Sequence, residues 1–144
     1  LGPILWQLAG TKKFEAEDMA AFLQQLPAAQ DGVPLRHAIE PRHDSFRDPA
    51  FFAMARTAGV AVVFAEAADY PCFEEQTAGF TYARLQTSRE DEETGYSGPE
   101  LDRWAAQARE WAKGGRDVFL FFIAGAKVRN PAAAQALIAK LREG

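Results

Sequence analysis

The chain has 144 residues, 48% of them hydrophobic, with a formal net charge of -4. That length holds one core, and the acidic balance lacks the basic footprint that nonspecific nucleic-acid binding requires. No apolar run approaches the roughly 20 residues of a membrane helix. Cys72 is the only cysteine, so no internal disulfide exists and a cytoplasmic location is the expectation.

The chain opens without methionine, directly in Pro3-Ile4-Leu5-Trp6-Gln7-Leu8, an apolar run that reads as a buried strand. This start suggests the later part of a longer chain. Glu15-Ala16-Glu17-Asp18 places acids where the positive end of a helix dipole favours them. Met19, Phe22, Leu23 and Leu26 follow on one helical face, and Pro27 ends the helix. Asp31-Gly32-Val33-Pro34 reads as a turn.

Next comes Arg36-His37-Ala38-Ile39-Glu40-Pro41-Arg42-His43, a short strand ending in a cluster of ionisable side chains. Asp48-Pro49 starts a helix, with Asp as N-cap and Pro at the first helical position. That helix should run to Ala58, with Gly59 at a left-handed terminus. Val60-Ala61-Val62-Val63-Phe64-Ala65 is continuously apolar, as strands buried on both faces are. Residues 67–79 read as an irregular crossover with about a turn of helix around Phe73–Gln76. Phe80 to Gln86 is the next strand, and a charged loop follows over 87–97. Ser97 and Glu100 fit a capping box. The helix beyond carries Leu101, Trp104, Ala105, Ala108 and Trp111 on one stripe, and Gly114-Gly115 ends it. Val118 to Ile123 is the fifth strand; Asn130-Pro131 begins a last helix with Ala134, Leu137, Ile138 and Leu141 as its buried row.

Strands and crossovers thus alternate, with no hairpin expected. The pattern implies a parallel α/β sheet. It is either a doubly wound open sheet or part of a (β/α)8 TIM barrel. No glycine-rich phosphate fingerprint follows any strand, which disfavours a Rossmann-type domain. A full barrel needs about 250 residues. Five strand–crossover units over residues 1–144 match its last five-eighths, a single partial domain.

The succession from Leu1 to Gln7, then Arg36 to His43, then Thr77 to Leu85, then Gly95-Tyr96 before the Trp104 helix, resembles the YecE-like family, also called the domain of unknown function seventy-two. The resemblance covers essentially the whole chain and corresponds to the family's second part. Its most specific pieces are Glu40-x-Arg42-His43 and Tyr82-x-Arg84-Leu85. It implies a TIM barrel whose first strands have no counterpart here. Two departures stand out. Gln86-Thr87 replaces a frequent His-Gly, and the last strand ends Phe122-Ile123-Ala124-Gly125 in place of paired Asn or Asp.

In parallel α/β folds the site lies at the carboxyl ends of the strands. That rule selects Gln7, Glu40, Arg42, His43, Glu66, Asp69, Arg84, Gln86, Lys127, Arg129 and Asn130. Glu40, with His43, is the candidate for proton transfer: a carboxyl at a buried strand end is a usable acid or base. The competing role for Glu40 is a structural ion pair with Arg42. Arg84, inside a strand, needs a partner, and Glu40 or Glu66 would serve. Lys127, Arg129 and Asn130, at a helix start, suggest an anion site; the competing reading is a solvated basic loop. Tyr96 could lean over the site from the 87–97 loop. His37 reads as structural and Cys72 as inert. Two histidines at opposite ends of one strand make a histidine-rich metal site unexpected, and no metal or cofactor is assigned.

Three functions compete. The first is an enzyme acting on a small anionic or sugar-like molecule, with Arg42, Lys127 and Arg129 orienting it. The second is a binding protein, for a small ligand or nucleic acid, using the same cationic mouth. The third is an inactive fragment with two open sheet edges.

Overall fold

The computed structural model describes residues 2–124 and 127–143. Gly125, part of the second departure, lies outside them. The elements run β1 (Ile4–Gln7), α1 (Ala16–Gln25), β2 (Ala29–Gln30), β3 (Val33–Pro34), β4 (His37–Glu40), α2 (Pro49–Ala58), β5 (Ala61–Val62), β6 (Phe64–Glu66), β7 (Phe80–Leu85), α3 (Gly98–Trp111), β8 (Asp117–Phe122) and α4 (Asn130–Glu143).

β1, β4 and β5 pair in parallel, as do β6, β7 and β8. β5 and β6 are one strand interrupted at Val63, whose N–H still donates to the Ile39 carbonyl at 2.9 Å. The five expected strands therefore lie side by side, all parallel, in the order β1, β4, β5/β6, β7, β8. Among the described residues the sheet does not close into a barrel, and β1 and β8 stand at its edges.

Strand alternation sorts the side chains onto two faces. One face turns Ile39, Val62, Phe64, Leu85, Leu120 and Phe122 toward the helices. α1 and α2 cover its first half with Met19, Leu23, Phe51 and Ala55, and α3 and α4 its second with Leu101, Ala105, Ala133 and Leu137. Phe64 receives Trp104 and Trp111 edge-on, with ring centroids 5.9 and 5.0 Å away. Burying each such side chain contributes roughly 1.5–3 kcal/mol. The opposite face carries Leu5, Ala38, Ala61, Val63, Ala65, Phe80, Tyr82 and Phe119, and no helix joins this cluster. Its small residues are buried because the larger side chains of neighbouring strands close over them.

The helix signals act as expected. The Asp48 side chain accepts from Ala50 N–H at 2.9 Å, and Gly59 takes φ 67°. Ser97 and Glu100 form the reciprocal capping box.

Three expectations need correction. A hairpin does exist: β2 and β3 pair antiparallel. Asp31 and Gly32 both take positive φ (51° and 78°), the conformation that an Asp-Gly pair supplies between two strands. The 67–79 crossover forms no helix. Thr77 instead ties it to the strand, donating to the Val60 carbonyl at 2.6 Å and accepting from Val62 N–H at 3.1 Å. The last helix is rotated: Ala133 and Leu137 are its buried residues, while Ile138 is 48% exposed.

Candidate functional site

β1 and β4 are in register, so Gln7 and Glu40 are direct partners at the carboxyl ends of two adjacent strands. Glu40 turns to the face that carries no helices, and it is only 1% exposed. Arg42 Nε donates to Glu40 Oε2 at 2.8 Å. Arg84 Nη1, arriving from β7, donates to Glu40 Oε1 and also to Gln7 Oε1 at 3.0 Å. Both carboxylate oxygens are thus held by guanidinium groups. The side chains of Arg42 and Arg84 are 15% and 16% exposed, so the arginines remain the open side of the cluster. One carboxylate stands against two guanidiniums, leaving one positive charge in excess.

Tyr70 lies over Arg42, with the guanidinium carbon 4.2 Å from the ring centroid, a stacked cation–π contact. A side chain at Gly10 would come within 3.3 Å of the same ring. Tyr70 belongs to the irregular crossover and was not among the residues expected at the site. No periodicity marks such a segment, so nothing local in the sequence could single it out. Below Arg84 on the same face, burial pushes the Tyr82 hydroxyl above its ordinary pKa; Arg84 opposes that shift and Glu40 adds to it.

Glu66 does not join this cluster. Its register partner is Leu85, on the helix-facing side of the sheet. There Oε1 accepts from Gln86 N–H and Thr87 N–H, each at 3.0 Å, and from the Tyr96 hydroxyl at 3.0 Å. Tyr96 does not lean over the mouth; it is fully buried, and burial raises its pKa. Of the two partners expected for Arg84, Glu40 therefore serves and Glu66 belongs to a separate network on the opposite face, because Glu66 is one residue out of phase with Ala65, the partner of Arg84.

His43 has a local task. Its Nδ1 accepts from Ser45 N–H at 3.0 Å and lies 2.9 Å from Ser45 Oγ, capping a short helical turn over Asp44–Phe46. His37 is structural, as expected. Nδ1 accepts from Trp6 Nε1–H at 3.0 Å, so Nε2 carries the proton that bonds the Pro27 carbonyl at 2.7 Å. After β8, Lys127 is exposed and Arg129 Nε donates to the Glu90 carbonyl at 3.0 Å. Asn130 brackets Ala124, accepting from its N–H and donating to its carbonyl, and lies 3.2 Å from Ser88 Oγ. Asp69 makes no hydrogen bond or ion pair with the cluster among the described residues. Burial pushes the Cys72 thiol up to about 11, which favours the protonated form at neutral pH.

Comparison with known proteins places the chain in a family. Two similar solved structures are a DUF72 family protein from Thermotoga maritima MSB8 (21% identity, TM-score 0.68, covering 97% of this chain and 57% of that one) and one from Enterococcus faecalis V583 (16% identity, TM-score 0.70, covering 98% and 60%). The chain spans less than two thirds of either structure. Curated proteins yield no match. The family model described as "Protein of unknown function DUF72" matches residues 1–144, and the chain belongs to that family, the one also called YecE-like.

Proposed function

We infer that the carboxyl-terminal mouth of the sheet binds a small anionic ligand, with Arg42 and Arg84 as its principal contacts. The observation that carries this reading is the charge count of a largely buried cluster: two guanidiniums share one carboxylate. Guanidiniums present planar donors suited to carboxylate and phosphate oxygens. Glu40 holds the two arginines in place, Gln7 steadies Arg84 from β1, the strand beside that of Glu40, and Tyr70 supports Arg42 from outside. Lys127 and Arg129 follow β8 at the same end of the sheet and add positive charge at the rim. Gln86 stands at the end of β7, where Glu66 braces the backbone, and Asn130 begins α4 and holds Ala124 just past β8.

A second reading makes Glu40 the acid or base of a reaction on that ligand, with His43 nearby in sequence; its support is the burial of a carboxyl group at a strand end. The fold fits a portion of a (β/α)8 barrel. The helices all pack on one face, the other face is filled by side chains, and both solved relatives are longer.

Calorimetric titration with inorganic phosphate tests the anion site. Arg42→Gln and Arg84→Met should each weaken binding about tenfold or more. Unchanged binding in both variants would reject the site. Sugar phosphates turned over by the native protein but not by Glu40→Gln would favour the second reading. Tight oligonucleotide binding that collapses with added salt would replace the small ligand by a nucleic acid.

A further inference from the structure

Gln86 follows the last residue of β7. Its N–H donates to the Glu66 carbonyl at 2.9 Å, so the ladder runs one residue past the strand. Alternation then turns its side chain to the same face as Tyr82 and Arg84. Its Nε2 is buried and has no hydrogen-bond partner, the one such side-chain atom among the described residues. The Glu66 carboxylate, its closest neighbour in the ladder, points to the opposite face and is already engaged by Gln86 N–H, Thr87 N–H and Tyr96.

A buried N–H donor without an acceptor is destabilising, and such groups are rare in folded proteins. This one stands at the mouth, about 7 Å along the strand from Arg84. That step is wider than a single phosphate or carboxylate group, and the donor is neutral where the arginines are charged.

We propose that Gln86 is a specificity-determining residue: it selects a ligand carrying an uncharged acceptor oxygen, a hydroxyl or carbonyl, beside the anionic group held by Arg42 and Arg84. The class is a hydroxylated phosphate ester or hydroxy acid. This rests on the anion-site reading.

The test is calorimetric titration of the 144-residue chain with propyl phosphate and with glycerol 3-phosphate, which share charge and length and differ in their hydroxyls. The native chain should prefer glycerol 3-phosphate by about three- to tenfold, the value of one hydrogen bond. Gln86→Leu should lose the preference, its affinity for glycerol 3-phosphate falling to that for propyl phosphate. Without ligand, Gln86→Leu should melt about 2–4 °C higher, since the unpaired donor is gone. Equal affinity for both esters in the native chain, or an equal loss for both in Gln86→Leu, would overturn the selectivity while leaving the anion site standing. A lower melting temperature in Gln86→Leu would also overturn it, by revealing a structural partner for the amide. Binding of neither ester would overturn the anion reading and the selectivity together.

Discussion

Arg84 and Glu40 form an ion pair across an intervening strand. Glu40 ends β4, Arg84 sits in β7, and β5/β6 runs between them. The residue level with Arg84 on that middle strand is Ala65, whose methyl group faces the same side. A small residue there lets the long Arg84 side chain cross over its neighbour and reach the carboxylate. The pairing thus depends on three strands and on one residue that makes no polar contact.

Ala65→Leu should disrupt it. Ala65 is 3% exposed, and overpacking such a position costs about 1–3 kcal/mol. Displacing Arg84 would also leave Glu40 with one guanidinium in place of two. Urea unfolding should show the loss of stability, and phosphate binding should weaken in parallel. A variant as stable as the native chain that still binds phosphate normally would show that Arg84 does not need the space above Ala65.

Gly95 should tolerate no side chain. Its φ is 75°, and an added Cβ would lie 2.9 Å from Ser88 Cβ and 3.4 Å from the Cβ atoms of Ala133 and Arg129. Its carbonyl accepts from Arg89 N–H at 2.7 Å, so the backbone cannot easily move aside. Gly95→Ala should destabilise the chain by about 1–3 kcal/mol, read from the urea midpoint. Native-like stability would mean that the 87–97 loop repacks freely.

Tyr96 should make stability fall at alkaline pH. Burial raises its pKa above the ordinary value of 10.0, so the folded state holds the phenolic proton more tightly than the unfolded state. The stability this provides is complete below about pH 10 and is lost as pH rises from there toward the folded-state value. Tyr96→Phe removes the hydroxyl that donates to Glu66, and it should cost about 1 kcal/mol at neutral pH. It should also flatten the alkaline limb. Urea midpoints at pH 8 and at about pH 10.5 check both, and parallel curves for the two proteins would refute the assignment.

Glu100 has the opposite sign. The Arg89 guanidinium, then the Ser97 backbone and side chain, lower its pKa to about 2 from an ordinary 4.5. A depressed acid contributes stability above its unfolded pKa and loses it as pH falls through the folded value. Melting temperature should therefore drop between pH 4.5 and pH 2 in the native chain. The drop should be shallower in Glu100→Gln, which lacks the titrating group. An identical acid limb in the variant would place the acid sensitivity elsewhere.

The sequence by itself determined the five main strands, their shared direction and the four longer helices. Local signals suffice for that: the Asp48-Pro49 start, the Ser97–Glu100 capping box, and apolar runs too continuous for one-sided strands. They also located Glu40, Arg42 and Arg84 at strand ends. The turn at Asp31-Gly32 was legible, but the β2–β3 hairpin around it was not, since each of its strands is only two residues long.

Only the tertiary structure decided which strand ends meet. A shift of one residue in register sends a side chain to the other face, and register is set by pairing between distant segments. That is why Glu66 left the arginine cluster for Tyr96 while Gln7 stayed in it; Tyr70 joined from outside the sheet, through a contact that no register sets. The same holds for the last helix: its pattern allows more than one buried stripe, and contact with α3 and β8 selects Ala133 and Leu137. A strand's direction is written within it, whereas its neighbours' phase depends on contacts far along the chain.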